Sequence, residues 1–164
     1  MALTTEELED FVAGLAATPG RWRHLVRHAT DARVYEQIVD DEDVNAWVIC
    51  WSEDQDTGFH DHDASAAAIA VISGQVREDR LRLGDEPRSR VIGAGQVFTV
   101  PPVAIHRVLH AGDTPAVTIH AYSPPLTRTG AYRIGPGGEL EREPLSFEDE
   151  LRPAAALRPA AALA

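Results

Sequence analysis

Cysteine occurs once in this 164-residue chain, which excludes an internal disulfide. Cys50 sits in the apolar run from Ala46 to Trp51 that reads as buried, a usage that fits a reducing, cytoplasmic setting. Basic residues are scarce: 15 Lys plus Arg stand against 26 Asp plus Glu, and the net charge of -11 repels phosphate backbones and anionic lipid. Neither nucleic acid nor a membrane is therefore expected as a partner. No apolar run approaches the roughly 18 residues of a membrane span. Glu6, Glu7, Glu9 and Asp10 stand where an export signal needs basic and then apolar residues. Aromatic residues make up only 6% of the chain, yet an apolar content of 44% fills a core and is not that of a disordered polymer. The length fits the roughly 100 to 200 residues of one domain.

The texture changes once along the chain. Residues 1–30 read as a helical segment packed on the rest of the domain: Thr4 and Glu7 make a capping box, and Leu8, Phe11, Val12 and Leu15 recur at helical spacing until Pro19 and Gly20. A second helical stretch is expected over Arg21 to Ala29, bringing Trp22, Leu25 and Val26 to one side. Residues 31–140 alternate like strands, expected over Val34–Val39, Asn45–Trp51, Ala66–Ser73, Gln75–Leu83, Arg90–Ile92, Gln96–Val100, His106–His110, Ala116–Tyr122 and Ala131–Ile134. Short strands without long helices between them predict an all-β, antiparallel jelly-roll barrel. Residues 141–164 read as a low-complexity tail, with Leu151-Arg-Pro-Ala-Ala-Ala repeated from Leu157, expected to be frayed or loosely docked. A monomer or small homo-oligomer is expected.

His60 and His62 lie two residues apart, so on an extended strand both imidazoles project from one face, as two ligands of one metal do. Taken alone, such a pair is equally compatible with solvated surface. Together with the glycines, proline and histidine downstream, the sequence resembles the cupin superfamily, whose first motif runs His-x-His, Glu, Gly and whose second runs Gly-x5-Pro-x-Gly-x2-His. Gly74 fits the first motif, and Gly95, Pro101 and His106 fit the second, with Val103 in place of its second glycine. The Glu position falls at Ala66 or Ala67 and is empty. The resemblance therefore implies a metal site of His60, His62 and His106 without the carboxylate common in the superfamily. Three neutral imidazoles on divalent iron leave its charge uncompensated, which favours a substrate arriving as an anion, and a thiolate is such a ligand.

Within the cupins, the chain is similar to the thiol dioxygenases of the cysteine dioxygenase kind over about residues 34–125. The matching segments are Val48 to Trp51, His60 to His62, His106 to Val108 and Thr118 to Pro125. That family places a hydroxyl residue, a His and a Tyr at alternate strand positions facing the site, a pattern met by Thr118, His120 and Tyr122. The resemblance implies a cofactor, Fe(II), and two partners, O2 and a small thiol oxidised to its sulfinic acid, with Tyr122, His120 and Thr118 as the catalytic row. Where mammalian members carry a cysteine cross-linked to the tyrosine, this chain has Ala67, so Tyr122 is expected to be an ordinary phenol. Cysteine-specific members also hold the substrate carboxylate with an arginine two residues after a tyrosine. Here Tyr35 is followed by Gln37, as in relatives acting on 3-mercaptopropionate and other thiols, and glutamine cannot make arginine's charged, bidentate clamp. Tyr35, Gln37 and Arg128 are the expected substrate contacts, with Arg133 as an alternative to Arg128. Asp54, Asp56, Asp61 and Asp63, close to the histidines, suit a cationic or zwitterionic substrate, such as a thione like ergothioneine.

Other residues have plainer readings. His24 and His28 lie on a solvated helical face, His110 belongs to a rim, Trp47 and Trp51 to core or pocket wall, and Asp40 to Asp43 form a polar hairpin turn. Two rival functions stay open: a three-His cupin acting on a diketone or catechol-type substrate or as an isomerase, and a non-catalytic cupin that binds without turnover.

Overall fold

The computed structural model describes residues 1–82, 84–137 and 139–146, so the repeated Ala/Pro segment lies outside the described residues. Helix α1 spans Thr5–Ala16. Its capping box forms as the sequence requires: the Glu7 N–H donates to the Thr4 hydroxyl at 3.3 Å, and the Thr4 N–H donates to the Glu7 carboxylate at 2.8 Å. Leu8, Val12 and Leu15 then face inward as one stripe. The second expected helix is corrected to two short turns of 3-10 helix, Pro19–Arg21 and Arg23–Leu25. No side chain caps either turn, the Trp22 indole is tied back to the Leu15 carbonyl at 3.0 Å, and the backbone is extended again at Val26.

Eleven strands complete the fold among the described residues: β1 Val34–Asp40, β2 Asn45–Trp51, β3 His60–Asp61, β4 Ala66–Ser73, β5 Gln75–Arg82, β6 Asp85–Gly93, β7 Val97–Val100, β8 His106–Ala111, β9 Ala116–Ser123, β10 Arg128–Ile134 and β11 Leu140–Ser146. All nine expected strands are present, β6 longer than its apolar stretch announces. β3 and β11 are additions, and β11 carries the sheet past residue 140 by pairing with β10. The strands form two antiparallel sheets, ordered β1-β2-β9-β4-β7 and β11-β10-β3-β8-β5-β6. Residues of both, including Ile69, Trp51, Val76 and Val108, meet in one interior core, so the sheets face each other as a jelly roll without closing edge to edge.

The central strands are buried on both faces for a reason visible in their alternation. Trp47, Ile49 and Trp51 point between the sheets, whereas Ala46, Val48 and Cys50 point outward into a second buried cluster that includes Trp22 and the inward stripe of α1. At the β4–β5 turn Gly74 adopts φ +67°, and a Cβ there would meet the Pro115 carbonyl oxygen at 2.6 Å, so only glycine fits. No helix among the described residues is long and apolar enough to cross a membrane.

Candidate metal centre

Strand β3 is only two residues long, but it brings the three histidines together. His60 pairs directly with His106 of β8, and His62 lies just past the strand end. The Nε2 atoms of His60 and His62 are 3.2 Å apart, and those of His62 and His106 are 3.3 Å apart, with all three rings buried. The rear nitrogens explain the orientation. His60 Nδ1 lies 3.1 Å from the Gly58 carbonyl oxygen, and His106 Nδ1 lies 3.2 Å from the Glu78 carboxylate. A carbonyl and a carboxylate accept, so each Nδ1 carries the proton and each Nε2 turns a lone pair into the cluster. Burial above all, then the charges of His60, His120, Arg80 and Arg90, hold the His106 pKa well below the ordinary histidine value. Lone pairs converging at such distances repel one another unless a cation lies between them, so the arrangement fits a divalent metal bound through three imidazoles.

No carboxylate joins this cluster among the described residues. Ala66 and Ala67 are buried on β4, and Glu78, the acid bonded to the network, stands behind His106 rather than beside it. Glu78 is itself 2% exposed and accepts from Arg80 at 2.8 Å and from Arg90 at 2.7 Å. Asp61, between His60 and His62, turns the other way. Its carboxylate accepts from Arg142 at 2.7 and 2.9 Å and from the Tyr132 hydroxyl at 2.7 Å. Burial alone would raise its pKa, but these donors outweigh burial and hold the carboxyl well below the usual carboxylate range. Asp61 thereby clamps the two-residue strand to β10 and β11. Neither carboxylate's role is visible in the sequence, because Arg90 reaches Glu78 from 12 residues away and Arg142 reaches Asp61 from 81 residues away.

The facing sheet contributes the second half of the site. Thr118, His120 and Tyr122 alternate along β9 and point between the sheets, with Ala67 of β4 directly opposite Tyr122. Thr118 Oγ1 is 2.9 Å from His120 Nε2, and His120 Nδ1 is 3.2 Å from the Tyr122 hydroxyl. Burial first, then the charges of His60 and Arg33, lower the His120 pKa to about 3, so its ring is neutral at physiological pH. The Tyr122 ring lies edge-on to His62 with centroids 5.0 Å apart, which places the end of this row against the histidine cluster. Trp51, expected in the core or pocket wall, is wholly buried, and its indole N–H donates to Thr118 Oγ1 at 2.9 Å.

Tyr35 and Gln37 lie on the exposed edge strand β1, opposite Ile49 and Trp47, and so share the face that looks between the sheets. Arg33, which no sequence motif singles out, is buried two positions before Tyr35, with its guanidinium 5.3 Å over the Trp51 ring. Of the two arginines after the Ser-Pro-Pro segment, Arg128 is exposed and pairs with Asp63 at 3.0 Å, and Arg133 pairs with Glu141 at 2.7 Å. His110 bonds the Thr114 carbonyl at 2.8 Å and lines, with His28 and Ser52, a surface cavity of about 450 Å³ that none of the three clustered histidines reaches.

The family model for cysteine dioxygenase type I matches residues 2–134. Cysteine dioxygenase type 1 of Danio rerio is 27% identical over 148 residues, covering 82% of this chain and 73% of the relative. The Rattus norvegicus protein of the same name is 23% identical over 141 residues, covering 79% and 70%. Among solved structures, a Thermus thermophilus protein aligns with a TM-score of 0.56 at 16% identity, covering 63% of this chain and 93% of that one. A Klebsiella pneumoniae protein with a double-stranded β-helix domain gives 0.55 at 19%, covering 62% and 80%. A cupin superfamily protein from Desulfitobacterium hafniense gives 0.54 at 10%, covering 63% and 87%. These structural likenesses establish the fold: the jelly roll is that of the cupins.

Proposed function

The chain belongs to the cysteine dioxygenase type I family, and from that premise and the geometry of the histidine cluster we propose that it is an iron(II)-dependent thiol dioxygenase. It adds both atoms of O2 to the sulfur of a small thiol, R–SH + O2 giving R–SO2H, with O2 as oxidant and no further reductant needed. The observation that carries this reading is the convergence of three Nε2 atoms, without a carboxylate among the described residues, opposite the Thr118, His120 and Tyr122 row. His60, His62 and His106 would hold the iron. Iron(II) supplies the open positions and one-electron chemistry through which sulfur and O2 meet.

The protein's own groups account for the rest. A donor set of three neutral imidazoles carries no negative charge, so a thiolate substrate completes the charge balance that a carboxylate provides elsewhere. Tyr122 stands at the cluster edge as a hydrogen-bonding group for the bound substrate, and His120 and Thr118 hold it there. The interior core of Trp51, Ile69, Val76 and Val108 limits water around the site. Tyr35 and Gln37, on the same sheet face at its exposed edge, contact the distal end of a cysteine-like, 3-mercaptopropionate-like or thione substrate. Arg128, exposed and paired with Asp63 at 3.0 Å, is the further contact proposed for a substrate carboxylate. A reducing cytoplasm is the compartment in which thiol substrates and the lone Cys50 stay reduced.

Oxygen uptake by the iron-loaded chain tests the reading, with cysteine, 3-mercaptopropionate, cysteamine and ergothioneine in turn and mass analysis of the product. One O2 consumed per thiol, with a gain of two oxygen atoms, is expected for at least one of them. Iron bound but no thiol consumed would refute the activity, and turnover of a diketone or catechol instead would assign a different cupin chemistry.

A further inference from the structure

We propose that Trp51 sets the direction of the hydrogen-bond chain through Thr118 and His120, fixing His120 as its Nδ1–H tautomer and Tyr122 as an acceptor from it, so that the phenol acts as a donor toward the histidine cluster.

Counting hydrogens gives the direction. An indole N–H can only donate, so at 2.9 Å Thr118 Oγ1 must accept from Trp51. A threonine hydroxyl has one hydrogen to give, and a fully buried one must give it to a partner. Besides the indole, the polar group that Thr118 Oγ1 meets among the described residues is His120 Nε2, at 2.9 Å. Thr118 therefore donates to Nε2, which is the unprotonated nitrogen. A neutral imidazole carries one N–H, and here it falls on Nδ1, facing the Tyr122 hydroxyl at 3.2 Å. Receiving that bond, Tyr122 spends its own hydrogen on a group other than His120, and its ring already lies against His62. Burial keeps His120 neutral, so the ring does not escape the choice by gaining a second proton. Trp51 also stacks on His120, with centroids 6.2 Å apart and planes within 28°, which fixes the ring plane together with the proton.

Without the indole, the chain can run backwards. Thr118 then satisfies only half of its hydroxyl in either direction, giving its hydrogen to Nε2 with no donor to its oxygen or accepting from an Nε2–H with no acceptor for its hydrogen. In the second case Nδ1 is an acceptor and Tyr122 turns its hydrogen toward His120 and away from the cluster. Trp51 is thus a positioning residue: it touches no reacting atom and acts through two others. The catalytic consequence rests on the thiol dioxygenase reading, but the tautomer does not, so the two can fail separately.

The test is histidine 15N NMR on the full chain, with zinc(II) as diamagnetic occupant of the cluster and His120→Asn to assign the resonance. Wild-type His120 is expected to show a protonated Nδ1 and an unprotonated Nε2; the reverse overturns the proposal. In Trp51→Phe the other tautomer is expected to gain population, and an unchanged tautomer removes Trp51 from its role. Should the Phe variant not fold, near-isosteric Thr118→Val gives a second measurement. Losing its acceptor, the Trp51 indole N–H proton should shift upfield, with Thr118→Ser restoring it; no shift overturns the chain at its first link. With a thiol substrate, Trp51→Phe should lower kcat about tenfold with KM little changed, the scale of one misdirected hydrogen bond. An NMR result as expected with no thiol turnover in the wild type would refute the activity and leave the tautomer assignment standing.

Discussion

Glu78 and His106 face each other at 3.2 Å, carboxylate oxygen to Nδ1, with the two side chains 2% and 1% exposed. The acid missing from the histidine cluster is thus present one bond further out, where it orients an imidazole. Arg80 and Arg90 pair with it from the other side, at 2.8 and 2.7 Å. Glu78→Gln keeps the shape but removes the charge and can turn its amide N–H toward His106. Removing such a partner typically costs a metal site about 10- to 100-fold in affinity. That loss is expected for the Gln variant in a chelator competition, with a lower unfolding midpoint because two guanidiniums lose their carboxylate. An affinity equal to wild type would show that the pair is only structural.

A second expectation concerns acid. His120 has a folded pKa of about 3 against 6.5 for the ordinary group. Between those values the unfolded chain binds a proton at this position and the folded chain does not, so protonation favours unfolding. Stability from this group is complete above about pH 6.5 and is lost progressively as pH falls toward 3, with a limiting slope of about 1.4 kcal/mol per pH unit. In metal-free protein, His120→Gln should remove up to one proton from the slope of unfolding free energy between about pH 6 and pH 4. Urea melts at several pH values check this, and an undiminished slope would mean that His120 is already charged in the fold.

How much of the molecule is legible in its sequence depends on the range of the forces involved. The first helix, the long strands and the spacing of His60, His62 and His106 depend on local alternation and turn residues, which a single chain displays. β5 shows the limit. Its Gln-Val-Arg-Glu-Asp-Arg run looks like a solvated strand, yet Glu78 and Asp79 are both buried because β6 returns Arg90 and Ser89 to them. β3 is invisible for a related reason: two residues carry no periodicity, and its pairing is supplied by Ala131, Gly130 and His106. The second helix does not form because Trp22, Leu25 and Val26 satisfy helical spacing across a segment without a cap.

Gly74 gives a test of the fold independent of chemistry. Its φ of +67° already disfavours any side chain, and an added methyl would press on the Pro115 carbonyl oxygen at 2.6 Å and Ala116 Cα at 2.7 Å, both backbone atoms that cannot swing aside. Gly74→Ala is therefore expected to cost at least about 2 kcal/mol. Gly95, also at positive φ but with open space around its Cβ, supplies the control: Gly95→Ala carries the conformational cost alone, about 1 to 2 kcal/mol. Chemical denaturation of the two variants side by side should place Gly74→Ala well below Gly95→Ala, and equal losses would remove the steric part of the explanation.

Substrate choice is expected to turn on Gln37. It is exposed on β1, pairs across the sheet with Trp47, and offers only a neutral amide to a passing carboxylate. Arginine there adds a charge-assisted, two-pronged donor, stronger than a neutral hydrogen bond but partly screened by water at an open edge. Gln37→Arg should lower KM for 3-mercaptopropionate and cysteine by about tenfold, corresponding to about 1.4 kcal/mol, while leaving KM for cysteamine, which has no carboxylate, unchanged or higher. The ratio of the two KM values is the quantity to measure, because general damage to the site moves both together. If the ratio stays constant, the carboxylate end of the substrate does not reach β1, and buried Arg33, its guanidinium over the Trp51 ring, becomes the residue to substitute next.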